Sequence, residues 1–253
     1  EPGNLDIRET AGSALDQILI DNVYQGLVSR TPDQKIVPAL ASDYEVSADK
    51  LTYTFTLREG VTFHDGQPLT PQDVVWSLTQ VRDTATYRDS ARLANVSGIA
   101  ADGQKITLTL KAPDSTLLWS LTGRAGLILK EGDKVDRKTA ANGTGPFRLA
   151  DWREGDSIVF ERFADYWGTP SSAAEVVFSY VSDNQAALSG ALAGEFDVLT
   201  GFDANLKDQV EANGDFTLEI GDSTDKGTLA FNQTSGPLAD ERVRHAVAHA
   251  LNR

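Results

Sequence analysis

Apolar and polar positions follow two rhythms along this chain. In LTYTFTLREG, Tyr53, Phe55 and Leu57 interleave with Thr52, Thr54 and Thr56, the period of a half-buried strand. Turn residues at Asp49-Lys50 and Asp65-Gly66 predict antiparallel hairpins on either side. VSGIAADGQKITLTLK repeats the pattern around Asp102-Gly103. A third hairpin is expected in NGTGPFRLADWREGDSIVFERFADYWG, with Phe147, Leu149, Ile158, Phe160 and Phe163 on its inner face.

The other rhythm is helical. Leu15, Ile18, Leu19, Val23 and Leu27 form a stripe within 13–30, with Gly26 as the expected stop. LTPQDVVWSLTQVRD offers Thr70 as a cap, Pro71 at the first helical position and Asp73 to close a capping box. Its stripe is Val74, Val75, Leu78 and Val81. PDSTLLWSLTG reads as a short helix with a Pro start and a Gly stop.

Beyond residue 168 the order changes. Strand-like EVVFSYV, FDVLTG, FTLEI and GTLAFN mix with helix-like DNQAALSGALAGE, NLKDQVEANG and DERVRHAVAHALNR, the last capped by Asp240. Such mixing predicts a sheet with crossover connections. The expected class is α/β, mixed α+β: a β-rich domain over 34–168 inserted into an α/β domain made of 1–33 and 169–253. The last helix reaches Asn252-Arg253 with no Gly or Pro to stop it, which suggests a chain boundary, not a designed end.

Composition narrows the chemistry. The chain has 253 residues, no cysteine and no methionine. Disulfides, thiolate nucleophiles and thiolate metal ligands are excluded. A formal net charge of -14 disfavours nucleic acid as a partner. No apolar run approaches the ~20 residues of a membrane span, and the opening EPGNLDIRET lacks the regions of a signal peptide.

Catalytic patterns are sparse. No G-x-S-x-G elbow occurs, and Gly143 and Gly145 in NGTGPF lead into a strand where a dinucleotide loop would lead into a helix. His64 precedes a turn and reads as a packing residue. His245 and His249 stand four apart on the final helix, where two imidazoles can share a metal. However, Ala246 occupies the place of a zincin's glutamate, and no further ligands are at hand. They read as the flank of an ordinary helix, and no cofactor is expected.

Three stretches carry a resemblance. LTYTFTLREGVTFHDGQPLTPQDVVWSL, GTGPFRLADWREGDSIVFERFADYWG and LAFNQTSGPLADERVRHAVAHALNR together resemble the family 5 extracellular solute-binding proteins, receptors of bacterial oligopeptide and dipeptide ABC importers. EPGNLD and YQGLV are similar to the family's entry segment and first helix end. Leu238 stands where the family usually has Phe.

The resemblance implies a two-lobed, periplasmic-binding-protein-like type II fold that closes on its ligand and does no bond chemistry. It implies that this chain holds the first lobe, that the second lobe and the returning segment are missing, and that ligand binding by this piece alone is weak. Export to the periplasm or the cell surface, the latter as a lipoprotein, is implied, with permease subunits as partners. A short peptide is the implied ligand; a nickel chelate, an oligosaccharide or an opine are alternatives on the same scaffold, and a chaperone-like role is an alternative of another class.

By position, the resemblance points to the loop Thr10, Ala11, Gly12 and Ser13, with Ala11 where an acidic ligand contact stands in some members. It also points to Tyr87, to the turn Gly123, Arg124 and Ala125, and to Leu229, Phe231 and Asn232 at a strand end.

Overall fold

A computed structural model describes residues 2–201, 203–220 and 228–251. The chain divides into two compact units, Glu1–Ser182 and Asp183–Arg253.

The first unit is built from hairpins. Strands β1 (Val28–Arg30) and β2 (Ile36–Pro38) form a short ribbon. β3 (Ala41–Val46), β4 (Thr52–Leu57), β5 (Val96–Asp102) and β6 (Lys105–Leu110) form an antiparallel sheet in the order β3-β4-β6-β5. The expected alternation sets its register. Tyr53 pairs with Leu108 and Phe55 with Ile106, so their side chains share one buried face. Tyr44, opposite Phe55, brings its ring to 5.8 Å from the Phe55 ring.

Helix α2 (Pro71–Asp83) covers that face with Val74, Leu78 and Val81, all fully buried. Its start is the expected capping box. Thr70 Oγ1 accepts from the Asp73 amide at 3.2 Å, and Asp73 Oδ2 accepts from the Thr70 amide at 2.8 Å. Two otherwise orphaned donors are thus satisfied at the helix entry.

The three-stranded sheet β7 (Phe147–Arg153), β8 (Ser157–Arg162) and β9 (Glu175–Ser179) is also antiparallel. Its Ile158 and Phe160 join Leu5, Ile7, Leu15, Leu19, Val23 and Tyr24 in a second core. NGTGPF crosses this region at close range. A Cβ on Gly143 would lie 1.9 Å from the Val23 carbonyl oxygen, and one on Gly145 2.3 Å from that of Asn22. Only glycine lets the two backbones meet, and the Gly145 amide then donates to Val23 O at 3.0 Å.

Two expected helices are shorter here. Helix α1 spans only Ala14–Leu19. Asp21 adopts a left-handed φ of 63°, and the Asn22 and Val23 carbonyls turn to the Phe147 and Gly145 amides. Gly26 therefore stops no helix; it bridges to Leu127. Helix α3 (Leu117–Leu121) begins after Thr116, well past Pro113.

The second unit holds α4 (Asn184–Leu192), α5 (Lys207–Glu211) and α6 (Glu241–Ala250). Asp183 caps α4, accepting from the Ala186 amide at 2.7 Å. Asp240 caps α6 as expected, accepting from the Arg242 amide at 2.9 Å. The buried apolar residues of the second unit, among those described, are Ala187, Leu188 and Ala191 on α4 and Val210 on α5.

The strands expected at 196–201, 216–220 and 227–232 do not form among the described residues, and no crossover sheet is present among them. An isolated strand leaves its amides and carbonyls unpaired, and no described strand of this unit is available to pair with them. Gly227, Asn252 and Arg253, at the ends of the last expected strand and helix, lie outside the described residues. No described helix is long and apolar enough to cross a membrane.

Candidate functional site

The segment from Asn4 to Ser13 runs as a tight loop before α1. The Leu5 amide donates to Lys138 O at 2.9 Å, and the Thr10 amide to Asp6 O at 2.9 Å. Thr10 Oγ1 donates to Asn4 Oδ1 at 2.5 Å. The lip of the loop, Ala11, Gly12 and Ser13, is exposed. Gly12 has a φ of +97°, a conformation that side chains rarely tolerate.

Arg124 fixes this loop from below. Its side chain is buried and ion-pairs with Asp16 on α1. Its Nη1 donates to the Thr10 and Ile7 carbonyls, the latter at 3.3 Å, and its Nη2 to the Gly12 carbonyl. A planar guanidinium suits this work because its donors are held in a fixed fork. Arg124 thus joins residues 10–13 to the 123–125 turn, and every nitrogen of its guanidinium is engaged by the protein. Ala125 is fully buried in the first core, and Gly123 is half-buried.

Tyr87 lies beside the same loop. Arg8 places its guanidinium carbon 6.0 Å from the Tyr87 ring centre. The Arg88 amide donates to Arg8 O at 2.7 Å, and Arg88 Nε to Glu9 O at 3.1 Å. Arg8 itself is 2% exposed. Its Nη2 donates to Ser77 Oγ at 2.7 Å and Leu127 O at 2.8 Å, while Nη1 has no partner. Burial lowers its pKa to about 10. Asp6 accepts from the Arg8 amide at 2.9 Å and from Arg137 Nε at 3.3 Å. At Arg137 burial opposes the charge, but Asp6 and Tyr87 outweigh it and raise the pKa.

Three groups named from the sequence therefore meet in the first unit: 10–13, Tyr87 and 123–125. Leu229, Phe231 and Asn232 belong to the second unit. There Leu229 is 58% exposed, and Asn232 Oδ1 accepts from the Thr234 amide at 3.0 Å, a local turn. Asp6, Arg8, Asp16 and Arg137 escaped the sequence reading. Leu5, Asp6, Ile7 and Arg8 are buried side by side although polar and apolar residues alternate among them, and nothing local in the sequence marks Asp6 and Arg8 as interior.

The histidines have plainer roles. His64 Nε2 donates to Gly145 O at 3.0 Å, while Nδ1 accepts from the Gly143 amide at 3.2 Å. The two bonds fix the neutral Nε2–H tautomer. His245 Nε2 lies 3.4 Å from Glu241 Oε1, both exposed. No group of three or more metal-ligating side chains occurs among the described residues.

Residues 35–253 match the pattern of the bacterial extracellular solute-binding proteins, family 5 (middle region). The chain belongs to this family. It is similar to the glutathione-binding protein GsiB of Escherichia coli O1:K1, with 29% identity over 251 residues, covering 96% of this chain and 49% of that protein. Among solved structures it is similar to MoaA of A. tumefacien R10 in complex with mannopinic acid, with 26% identity, a TM-score of 0.84, and coverage of 98% of this chain and 53% of the other. Helicobacter pylori DppA in complex with the peptide STSA matches with 25% identity and a TM-score of 0.78, over 85% of this chain and 47% of its own.

The chain thus spans about half the length of the curated relatives it matches. Its fold is that of the periplasmic binding proteins, and the family to which it belongs binds solutes outside the cytoplasm and is not one of enzymes.

Proposed function

We propose that this chain is part of the solute-capturing component of a bacterial ABC importer, and that its cargo is short peptides. The observation that carries this is the loop 10–13. Its backbone is held rigid by Arg124, while Ala11, Gly12 and Ser13 stay open to solvent. A fixed lip of main-chain groups can satisfy the main chain of a peptide whatever its side chains, with water filling the remaining space. GsiB by its name, and DppA by its bound peptide, support the same cargo.

In this reading Tyr87 and Gly123 border the lip, Arg124 and Ala125 support it, and Leu229, Phe231 and Asn232 are solute-contacting residues carried by the second unit. The β-rich domain at 34–168 is an insertion in an α/β domain. The partners are permease subunits, and the protein works in the periplasm or anchored at the cell surface by a lipid.

Native mass spectrometry of the full-length gene product, purified without refolding, tests the cargo. A ladder of short peptide masses is the expected result. A single mass belonging to a sugar acid or a metal chelate would overturn the peptide and retain the family.

A further inference from the structure

We propose that Arg8 and Arg137, covered by Tyr87, form an anion subsite next to the loop 10–13, and that it receives a carboxylate of the captured solute. The proposal rests on the reading of that loop as a solute-binding lip.

The charges are unbalanced. Arg8, buried, and Arg137, half-buried, bring two guanidinium groups together, and Asp6 is the carboxylate set against them. Asp6 gives its side-chain bonds to the Arg8 amide and to Arg137 Nε, so the Arg8 guanidinium touches no carboxylate. A buried cation without a counter-charge is costly. Neutral Ser77 and Leu127 hold its Nη2, which positions the fork and leaves Nη1 without a partner.

With Nη2 taken by Ser77 and Leu127, Nη1 can give a charge-assisted bond to one oxygen of a carboxylate. Tyr87 is the cover. Its ring lies 6.0 Å from the Arg8 guanidinium carbon, its side chain interacts with Arg137, and it is only half-buried. The backbone beneath it is pinned by the bond from the Arg88 amide to Arg8 O. In this proposal, rotation of this one half-buried side chain gives a carboxylate its access to Nη1.

The test uses formate on the chain itself. Arginine side-chain NMR would follow the Arg8 Nε–H signal, assigned by its loss in Arg8→Lys, during titration with sodium formate against sodium chloride at constant ionic strength. A saturable shift with formate and none with chloride is expected. Tyr87→Ala should tighten formate binding severalfold, and Arg153→Gln, at an exposed arginine of β7, should leave it unchanged. If Arg8→Lys fails to fold, the response of Tyr87→Ala decides.

Absence of a saturable shift in both the parent and Tyr87→Ala would overturn the subsite. Displacement of formate by tri-alanine, but not by its C-terminal amide, assigns the carboxylate to a peptide terminus. Displacement by glutarate alone assigns it to an acidic non-peptide solute, which keeps the subsite and overturns the peptide cargo. If none of these displaces formate, the locus admits an ion but no solute, and the proposal fails.

Discussion

Phe55 and Ile220 both stand in short segments with strand-like patterns, yet Phe55 is fully buried and Ile220 is 76% exposed. The difference lies in their neighbours. Phe55 is in β4, which pairs with β3 on one side and β6 on the other, and its side chain joins the core that α2 also lines. Residues 216–220 have no such neighbour among the described residues. Val198 at 77% and Leu229 at 58% share that condition. An apolar segment specifies a face to be covered; it does not by itself supply the cover.

The largest expected effect tests the covered side. Phe55→Ala removes a fully buried ring that touches Tyr44, and such truncations cost about 4 kcal/mol. Urea unfolding followed by a signal from the first unit should show that loss as a lower midpoint with an unchanged slope. A loss near zero would mean that the first core is loosely packed and that the contrast with 216–220 is one of geometry alone.

Acid sharpens the same comparison through the histidines. Burial lowers the pKa of His64 from 6.5 to about 4. The neutral ring is the one that fits, since protonation of Nδ1 breaks its bond with the Gly143 amide. The unfolded chain takes up the proton more readily, so stability is full above pH 6.5 and falls as the pH drops towards 4. The whole shift corresponds to roughly 3 kcal/mol. His245, exposed beside Glu241 in the second unit, has no buried bond to lose. Unfolding midpoints between pH 7 and 4 should fall for the parent and fall less for His64→Gln. Parallel curves would show that His64 is not the group that titrates.

These contrasts explain which features were legible in the sequence. The hairpins of the first unit, the Thr70–Asp73 capping box and the helix cap at Asp240 depend on residues close together in the chain. The meeting of 10–13 with 123–125 depends on Arg124 bonds that cross more than a hundred residues, and no local period reports them. Family resemblance named both groups without giving the reason they meet. Glycines 143 and 145 were visible as a motif, but their cause, a backbone crossing at Asn22 and Val23, is a fact of packing. The expected strands at 196–201 and 216–220 failed for the opposite reason: the pattern was local and the partner was not.

The smallest expected effect is therefore the most diagnostic one for the second unit. Ile220→Ser exchanges a side chain that already meets water, and substitutions away from any packed contact stay within about 0.5 kcal/mol. Val198→Ser should behave alike. The two should leave the chain's unfolding midpoint in place while reducing the binding of a hydrophobic dye to its exposed apolar surface. A loss of 2 kcal/mol or more, the size expected for a buried isoleucine, would mean that 216–220 is covered in solution. The contrast with Phe55 would then collapse, because both segments would have found a neighbour.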